Sequence, residues 1–590
     1  MNSKNGKNRG PGFRRYWIQR SLRRLAVGPH RHHTAVTAAS VELHYTELIP
    51  PDGNETDRAL VILHGLLYGI CYISLWVVSD GLSARKELIS KDRSLRLDVL
   101  DQDKLSALEI EADRLIRSIR AAEAGSVWSA DYPSIPHPFP GMEFLTGRSI
   151  IVQTEVFKIL CKMPKGALLH AHLDATVNAS FLYDLGLQEP SIHIQVPQVV
   201  NAQTLSTALQ KFRALPAELH NNEVVSLTSP SYVPDSWISL AHARKQFDPA
   251  LGGPDGFDRW VLGCLTINPA EAYGTHNTVT KIWQKFTSTF RVADGLIHYA
   301  PIFTKYIREF IRSSIEDGIL YVEPRVNFWI KTMVNADGVE NVTHRELLMI
   351  FESVLEETIA DLKAQGREDE FVGAKIIYST LRFLEPDELD WYFEDCIALK
   401  KEFPHLIAGF DLVGDENVLY PLSHYTKKLL NFRHMQKDAG VDIPFIHHAG
   451  ETLGDDSKAD MNLYDAILLG TKRIGHGFSL VKHPEVMNIC REKNIALEVC
   501  PISNEILRLT SSMPMHPLPI LLNYGIAVAL CSDDPSAFGN MGLSFDFFQV
   551  WLSRYTPCAV IDVFLEVLVS SEVTGLIQLG AMARDSIKVP

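Results

Sequence analysis

Cysteine is scarce in this chain, because its 590 residues include only 8, scattered and without a C-x-x-C pair. This density is far below that of a disulfide scaffold, so the pattern leaves the redox compartment open. The serine nucleophile motif G-x-S-x-G is also absent, which argues against an acyl hydrolase. Lysine and arginine (57) are outnumbered by aspartate and glutamate (71), giving a net charge of −14. We therefore expect no nucleic-acid partner.

Two N-terminal stretches lack charge of one or both signs. Residues 1–34 hold many Arg and Lys but no acid, as in a mitochondrial transit peptide or a disordered basic tail. Residues 59–79 carry no charged side chain and could span a bilayer, but they begin like a strand. Residues 41–68 resemble the opening of an α/β-hydrolase that lacks its nucleophile. We interpret residues 1–80 as a basic tail plus a partial hydrolase-like fragment, from a fusion or gene-model artefact, with a membrane anchor as the alternative.

The rest of the chain combines helical patterns with short apolar runs. Apolar residues at three- and four-residue steps between 84 and 123 predict a helical extension over 84–160, which either packs on its neighbour or forms a homodimer. Eight apolar runs then alternate with helical stretches, at 166–172, 318–325, 372–379, 406–413, 443–448, 473–476, 495–500 and 526–531. This order predicts an α/β fold, a (β/α)8 TIM-type barrel over 161–590. The gap at about 173–317 predicts an insertion after the first strand.

Histidines mark the end of the first run. His170, His172 and Asp174 alternate along it, so on a strand they would share one face. Two imidazoles at a strand end make half of a metal site, although H-x-H alone is equally typical of packing histidines.

Three later runs also end in polar clusters. His448 precedes Glu451, Gly475 precedes His476, and Asp533 and Asp534 follow the last run; these clusters lie at 447–451, 475–477 and 531–535. In an α/β barrel the chemistry lies at the C-terminal ends of the strands. Three imidazoles and a carboxylate suit one Zn²⁺ with a position open for water, whose pKa the metal lowers.

Three phrases carry a family resemblance: Met-Pro-Lys-Gly-Ala-Leu-Leu-His (163–170), Glu-Val-Cys-Pro-Ile-Ser-Asn (498–504) and Ser-Asp-Asp-Pro-Ser-Ala-Phe-Gly (532–539). The set resembles the adenosine deaminase family of metal-dependent amidohydrolases, and most closely its growth-factor-like branch. The resemblance covers about 84–590. It implies deamination of adenosine and 2′-deoxyadenosine to inosine and ammonia, on a small-molecule purine nucleoside.

The resemblance also implies a role for each matching residue. The implied zinc ligands, for one ion per chain, are His170, His172, His448 and Asp533, the last also counted as catalytic. The other implied roles are N1 protonation by Glu451, water orientation and deprotonation by His476, N7 binding by Asp534, N3 binding by the N–H of Gly414, and 5′-hydroxyl binding by Asp174. We interpret His447 as a packing residue, and Asp415 and Glu416 as helix N-caps.

Several alternatives stay open. Adenine or AMP is an alternative substrate, although the Asp174 carboxylate would repel the phosphate that AMP carries at the ribose 5′ end. A non-catalytic growth-factor-like binding protein is the alternative from another class, and the intact metal set argues against it. The branch is usually secreted, yet the sequence shows no signal peptide, and the absence of cysteine from 173–263 argues against the branch's disulfide and receptor role. Since the branch usually continues into another helix, we expect a truncated C-terminus.

Overall fold

The structure, a computed structural model, describes residues 82–94, 107–220 and 225–552. The chain divides into two compact units, Met1–Arg93 and Ser94–Pro590. The described part of the first unit is a helix over 82–93. No helix within the described ranges is both long and apolar enough to cross a membrane. The predictions made for 1–34, for 59–79 and for the chain end concern residues outside these ranges.

Parallel strands form the centre of the second unit. Their bounds are β1 Gly166–Leu168, β5 Ile319–Val322, β6 Arg325–Asn327, β9 Gly373–Ala374, β10 Ile376–Leu381, β11 Ile407–Val413, β12 Ile446–Ala449, β13 Arg473–His476, β14 Ala496–Val499 and β15 Val528–Leu530. Each of the eight predicted runs contains a strand. The second run is divided at Glu323-Pro324, where proline has no N–H to donate to a neighbouring strand.

The strands pair in sequence order. Within the described residues they form three parallel sheets, β1-β5-β9, β11-β10-β6 and β12-β13-β14-β15, rather than one closed sheet. Isolated parallel bridges join sheet to sheet, from Phe410 to Phe445 and from Ala171 to Asp533. Strands that pair in chain order with helices between them give a TIM-barrel type of architecture.

Helices cover the strands. Their bounds are α1 Ala107–Ala124, α2 Phe144–Ile151, α3 Glu155–Lys162, α4 Ala179–Gln188, α5 Leu240–Lys245, α6 Gly253–Leu265, α7 Val279–Ile297, α8 Ala300–Glu316, α9 His344–Ala364, α10 Leu389–Glu402, α11 Thr426–Ala439, α12 Lys458–Leu468, α13 Pro484–Glu492, α14 Pro501–Ile506, α15 Leu518–Asn523, α16 Pro535–Phe538 and α17 Ser544–Leu552. In α8, Phe303, Ile307 and Phe310 are buried at helical spacing, so this face packs on the core. Capping also fixes helix starts: the Thr343 hydroxyl accepts the Glu346 N–H, and Glu346 reciprocates at the start of α9.

Residues 173–317 contain structure of their own. They include α4 to α8 and the antiparallel sheet β3-β2-β4, made of β2 Ile192–Gln195, β3 Lys211–Ala214 and β4 Ile238–Ser239. A separate antiparallel pair, β7 Thr332–Val334 and β8 Glu340–Thr343, follows β6. Gly318 returns the chain to the parallel strands at φ +80°, where a Cβ would come within 2.6 Å of the Met163 carbonyl oxygen. The close approach and the positive φ together require glycine there.

Candidate metal centre

The four predicted ligands converge at the C-terminal ends of the strands. One ligand atom from each of His170, His172, His448 and Asp533 lies within 4.8 Å of the others. His170 Nε2 lies 3.3 Å from Asp533 Oδ1, and His172 Nε2 lies 3.5 Å from the same oxygen. The segment after β1 reaches the site through bridges rather than a continuing strand, since His172 pairs with Arg325.

Backbone strain marks two residues of the centre. His476 ends β13 and Asp533 follows β15, and both have a φ of 61°, which side-chain-bearing residues rarely adopt. Such strain persists only where the surroundings enforce it, and it concentrates at functional sites. Gly475 makes room for the cluster, because a Cβ there would come within 2.9 Å of the His170 ring and 3.2 Å of the His448 Cα.

Buried carboxylates orient two of the imidazoles. His170 Nδ1 lies 2.9 Å from Glu498 Oε2, and His448 Nδ1 lies 2.7 Å from Asp411 Oδ2. The Arg325 guanidinium donates to both carboxylates, at 2.8 Å each. Each ring therefore presents its Nε2 to the centre, because a carboxylate that accepts from Nδ1 fixes the orientation of a metal-binding histidine.

The residues present fit a bound metal ion. Two buried atoms, His170 Nε2 and Asp533 Oδ1, have no hydrogen-bond partner among the described residues, as expected for atoms that ligate a cation. Burial holds the pKa of His172 well below its usual range and lowers that of His448 to about 4. Both rings are therefore neutral at physiological pH and free to bind a metal.

A second grouping replaces His172 and His448 with His476 and Cys500 around the same aspartate. Burial raises the pKa of the Cys500 thiol well above its usual range. The grouping of three histidines and Asp533 suits a cation better, because buried carboxylates hold two of its imidazoles with Nε2 facing the centre.

Glu451 lies beside the cluster as a buried acid. Burial, and then the charges of Asp533 and Glu416, raise the pKa of Glu451 well above its usual range. Its Oε1 lies 3.5 Å from His476 Nδ1 and accepts no hydrogen bond from the described residues. The Glu451 carboxyl is therefore available as a proton donor.

Glu416 is not a helix cap, contrary to the sequence-based interpretation. Its buried carboxylate accepts the backbone N–H groups of Gly450 and Glu451 at 3.2 and 3.0 Å. The same carboxylate lies 3.4 Å from Arg382, whose guanidinium donates to the His448 carbonyl oxygen. Asp415 caps no helix either, since it accepts the Asn417 N–H and no helix begins until residue 422. An acid just beyond the apolar run 406–413 was the feature of the sequence from which this role of Glu416 could have been predicted.

The other predicted residues occupy different positions around the cluster. Asp534 is buried beside Asp533, and burial, then the charges of Asp533 and Asp174, raise its pKa well above its usual range. Asp174 lies in a 3-10 turn, Leu173–Ala175, rather than on the strand, and burial raises its pKa to about 6. Gly414 directly follows β11, at φ +116°. His447 packs on Phe445 with ring centroids 4.8 Å apart.

Sequence reasoning missed the residues that support the ligands. They are Arg325, Asp411, Glu498, Ser503 and Asn504, of which Ser503 donates to Asp533 Oδ2 at 2.6 Å. Asp411 and Glu498 each interrupt an otherwise apolar strand, which was the available signal, because a charge within a buried strand requires a partner.

Comparisons with known proteins identify the family of this chain. The family model described as adenosine deaminase matches residues 268–549. Adenosine deaminase 2-A of Danio rerio is 32% identical over 70% of this chain and 75% of its own length. Adenosine deaminase 2 of Homo sapiens is 33% identical over 70% of this chain and 74% of its own. Adenosine deaminase of Lutzomyia longipalpis is 32% identical over 68% of this chain and 72% of its own length. This chain belongs to the adenosine deaminase family.

Proposed function

We propose that this protein is a zinc-dependent enzyme that hydrolyses adenosine to inosine and 2′-deoxyadenosine to 2′-deoxyinosine, with release of ammonia. The observation that carries the proposal is the convergence of three imidazoles and Asp533 beside Glu451, a buried carboxyl whose pKa is raised. The similar proteins named adenosine deaminase support the same reaction.

Zinc is the metal that the ligand set favours. The separations of 3.3 and 3.5 Å between Asp533 Oδ1 and the two imidazole Nε2 atoms are short enough for one ion to contact all three atoms at the usual zinc–ligand distances of about 2.0–2.2 Å. When bound, zinc lowers the pKa of water towards neutrality and makes a hydroxide nucleophile available. One ion per chain follows, because the four ligands form one cluster.

The protein's own residues supply the proton and the orientation. Glu451, whose raised pKa favours the protonated carboxyl, would donate a proton to the purine N1, which makes C6 electrophilic. The pKa of Asp534 is raised as well, so its carboxyl would donate a hydrogen bond to N7, and the N–H of Gly414 would bind N3. His476 would face the attacking water. Asp174 would bind the ribose 5′-hydroxyl and, when ionised, would repel a phosphate at that position.

We also infer that the parallel strands form one closed (β/α)8 barrel. The bridges from Phe410 to Phe445 and from Ala171 to Asp533 support this inference. Dimerisation through the N-terminal helices remains our proposal as well. It is supported by the exposure of Ile110 (55%) and Leu115 (47%) on α1, and light scattering on the purified protein tests it.

An absorbance assay on adenosine, 2′-deoxyadenosine, adenine and AMP, with metal analysis of the same sample, tests the function. We expect about one zinc per chain, activity on the two nucleosides, and loss of activity on chelation. His448→Ala should lose the metal, because it removes one of the four ligands. Activity on adenine or AMP alone would favour the alternative substrates. A zinc-loaded protein inactive on all four would favour the binding protein.

A further inference from the structure

Two buried side chains form a hydrogen-bonded chain behind His476. His516 Nε2 lies 3.1 Å from the Asn504 side-chain oxygen, and the Asn504 side-chain nitrogen lies 3.2 Å from His476 Nδ1. All three residues are buried. Asn504 is on α14, and the ring of Phe478 contacts His516 edge-on, with centroids 5.5 Å apart. The helix therefore fixes the backbone of Asn504, and Phe478 packs against His516.

A backbone N–H fixes the direction of every hydrogen bond in this chain. The Leu518 N–H donates to His516 Nδ1 at 3.0 Å. Because a backbone N–H can only donate, His516 Nδ1 accepts with its lone pair, and the proton of the neutral ring lies on Nε2. That Nε2–H donates to the Asn504 oxygen, which orients the amide so that its NH₂ group faces His476.

The same logic decides the tautomer of His476. An amide NH₂ can only donate, so His476 Nδ1 accepts, and the proton of the neutral ring lies on Nε2. Nε2 lies 3.8 Å from Asp533 Oδ2. Glu451 Oε1, 3.5 Å from Nδ1, makes no hydrogen bond with it. One oxygen atom can hydrogen-bond both to Nε2 and to Asp533 Oδ2 at about 2.8 Å each, since the two lie closer than twice that distance.

We propose that Asn504 and His516 are positioning residues, which hold His476 in its Nε2–H tautomer so that it donates a hydrogen bond to the oxygen that adds to the substrate. This inference rests on the proposed function. It changes the role that family resemblance implied for His476. In this tautomer Nε2 has no lone pair facing the centre, so His476 orients and stabilises that oxygen instead of removing its proton.

Asn504→Asp is the sharpest test, because it replaces the amide NH₂ group with an oxygen. The hydrogen bond between residue 504 and His476 Nδ1 then has to run in the opposite direction. A carboxylate accepts from both neighbours, so it draws the His476 proton to Nδ1 and leaves Nε2 without one. We expect kcat to fall roughly 10²-fold, the scale for losing one preorganised donor, with zinc retained. Asn488→Asp, the same charge change on α13, is the matched control and should stay within about threefold of the parent.

Two readouts separate this role from a merely structural one. The full zinc-loaded chain, labelled with ¹⁵N-histidine, reports the tautomer directly, and His476→Gln identifies the signal. We expect a protonated Nε2 in the parent and its loss in Asn504→Asp. Asn504→Asp should also weaken binding of a nucleoside analogue with a tetrahedral, hydroxyl-bearing C6 at least 10-fold, while inosine binding changes less than threefold.

His516 variants keep the test decisive if Asn504→Asp does not fold. His516→Gln can still donate to the Asn504 oxygen and should keep the tautomer and the activity within about threefold. His516→Leu cannot donate and should lose both. A protonated Nδ1 in the parent, or equal losses in the two His516 variants, would overturn the proposal. Lack of deaminase activity in a parent that shows the Nε2–H signal would refute the proposed function and leave the tautomer assignment standing.

Discussion

Burial shifts the pKa values of single residues in this centre away from the values that they would have in water. Glu451 and Asp534 are buried carboxyls with raised pKa values, because desolvation penalises the charged form and Asp533 already supplies a negative charge nearby. Both shifts favour the protonated carboxyl, which can donate a hydrogen bond where a free carboxylate only accepts. In the proposed reaction, environment rather than residue type would make Glu451 an acid and Asp533 a ligand.

Glu451→Gln tests this assignment. The carboxamide has nearly the same shape and can still donate a hydrogen bond, but it cannot transfer a proton. We expect full zinc occupancy and a fall in kcat of about 10²–10⁴-fold with a smaller change in KM, since proton transfer belongs to the transition state. Glu485→Gln, on the exposed side of α13, is the control. A kcat within threefold of the parent would mean that the proton comes from another group.

Gly475→Ala tests the space around the ligands. The new methyl group would lie 2.9 Å from the His170 ring and 3.2 Å from the His448 backbone, so the ring must move away from the metal. We expect zinc affinity to fall about 10- to 100-fold, as for other disturbances of ligand orientation, measured by competition with a chromogenic chelator. Gly263→Ala on α6, where a Cβ meets nothing within 4 Å, should bind zinc normally. Unchanged affinity in Gly475→Ala would show that the ring tolerates the displacement.

At the scale of elements, Glu505 joins three separate parts of the second unit. On α14 it accepts the backbone N–H of Phe144, at the start of α2, and the hydroxyl of Tyr273, both at 3.0 Å. Burial raises the pKa of Glu505 to about 8. The folded protein therefore keeps this carboxyl protonated at pH values where the unfolded chain ionises it.

This linkage predicts a pH-dependent loss of stability. Because the folded pKa lies above the unfolded value, the stabilisation is complete below about pH 4.5 and is lost as the pH rises towards about 8. Glu505→Gln removes the ionisation. The free energy of unfolding of the variant should gain on that of the parent by up to about 1.4 kcal/mol per pH unit in this window. Denaturant titrations from pH 5 to 8 measure the difference, and parallel curves for the two proteins would contradict it.

At the scale of the whole molecule, every residue assigned to the centre lies between His170 and Asp534, within the unit Ser94–Pro590. The interpretation of residues 1–80 as a basic tail plus a hydrolase-like fragment stays a prediction, and the proposed reaction uses no group from them. A chain that begins at Asp80 should therefore fold, bind one zinc and deaminate adenosine within about threefold of the full chain. If it bound zinc but were inactive beside an active full chain, residues 1–80 would have a role in catalysis.

The sequence by itself determined the alternation of strands and helices and the residue types at the strand ends. Both are local properties: strand and helix patterns repeat every 2 to 4 residues, and His170, His172 and His448 each follow an apolar run. Only the tertiary structure decided which groups meet. Arg325 joins Asp411 and Glu498, which lie 86 and 173 residues further along the chain, and no local pattern encodes such a contact. Burial and neighbouring charge, which set the pKa of Glu451, exist only once the chain is folded, as does the direction of the hydrogen bonds that reach His476.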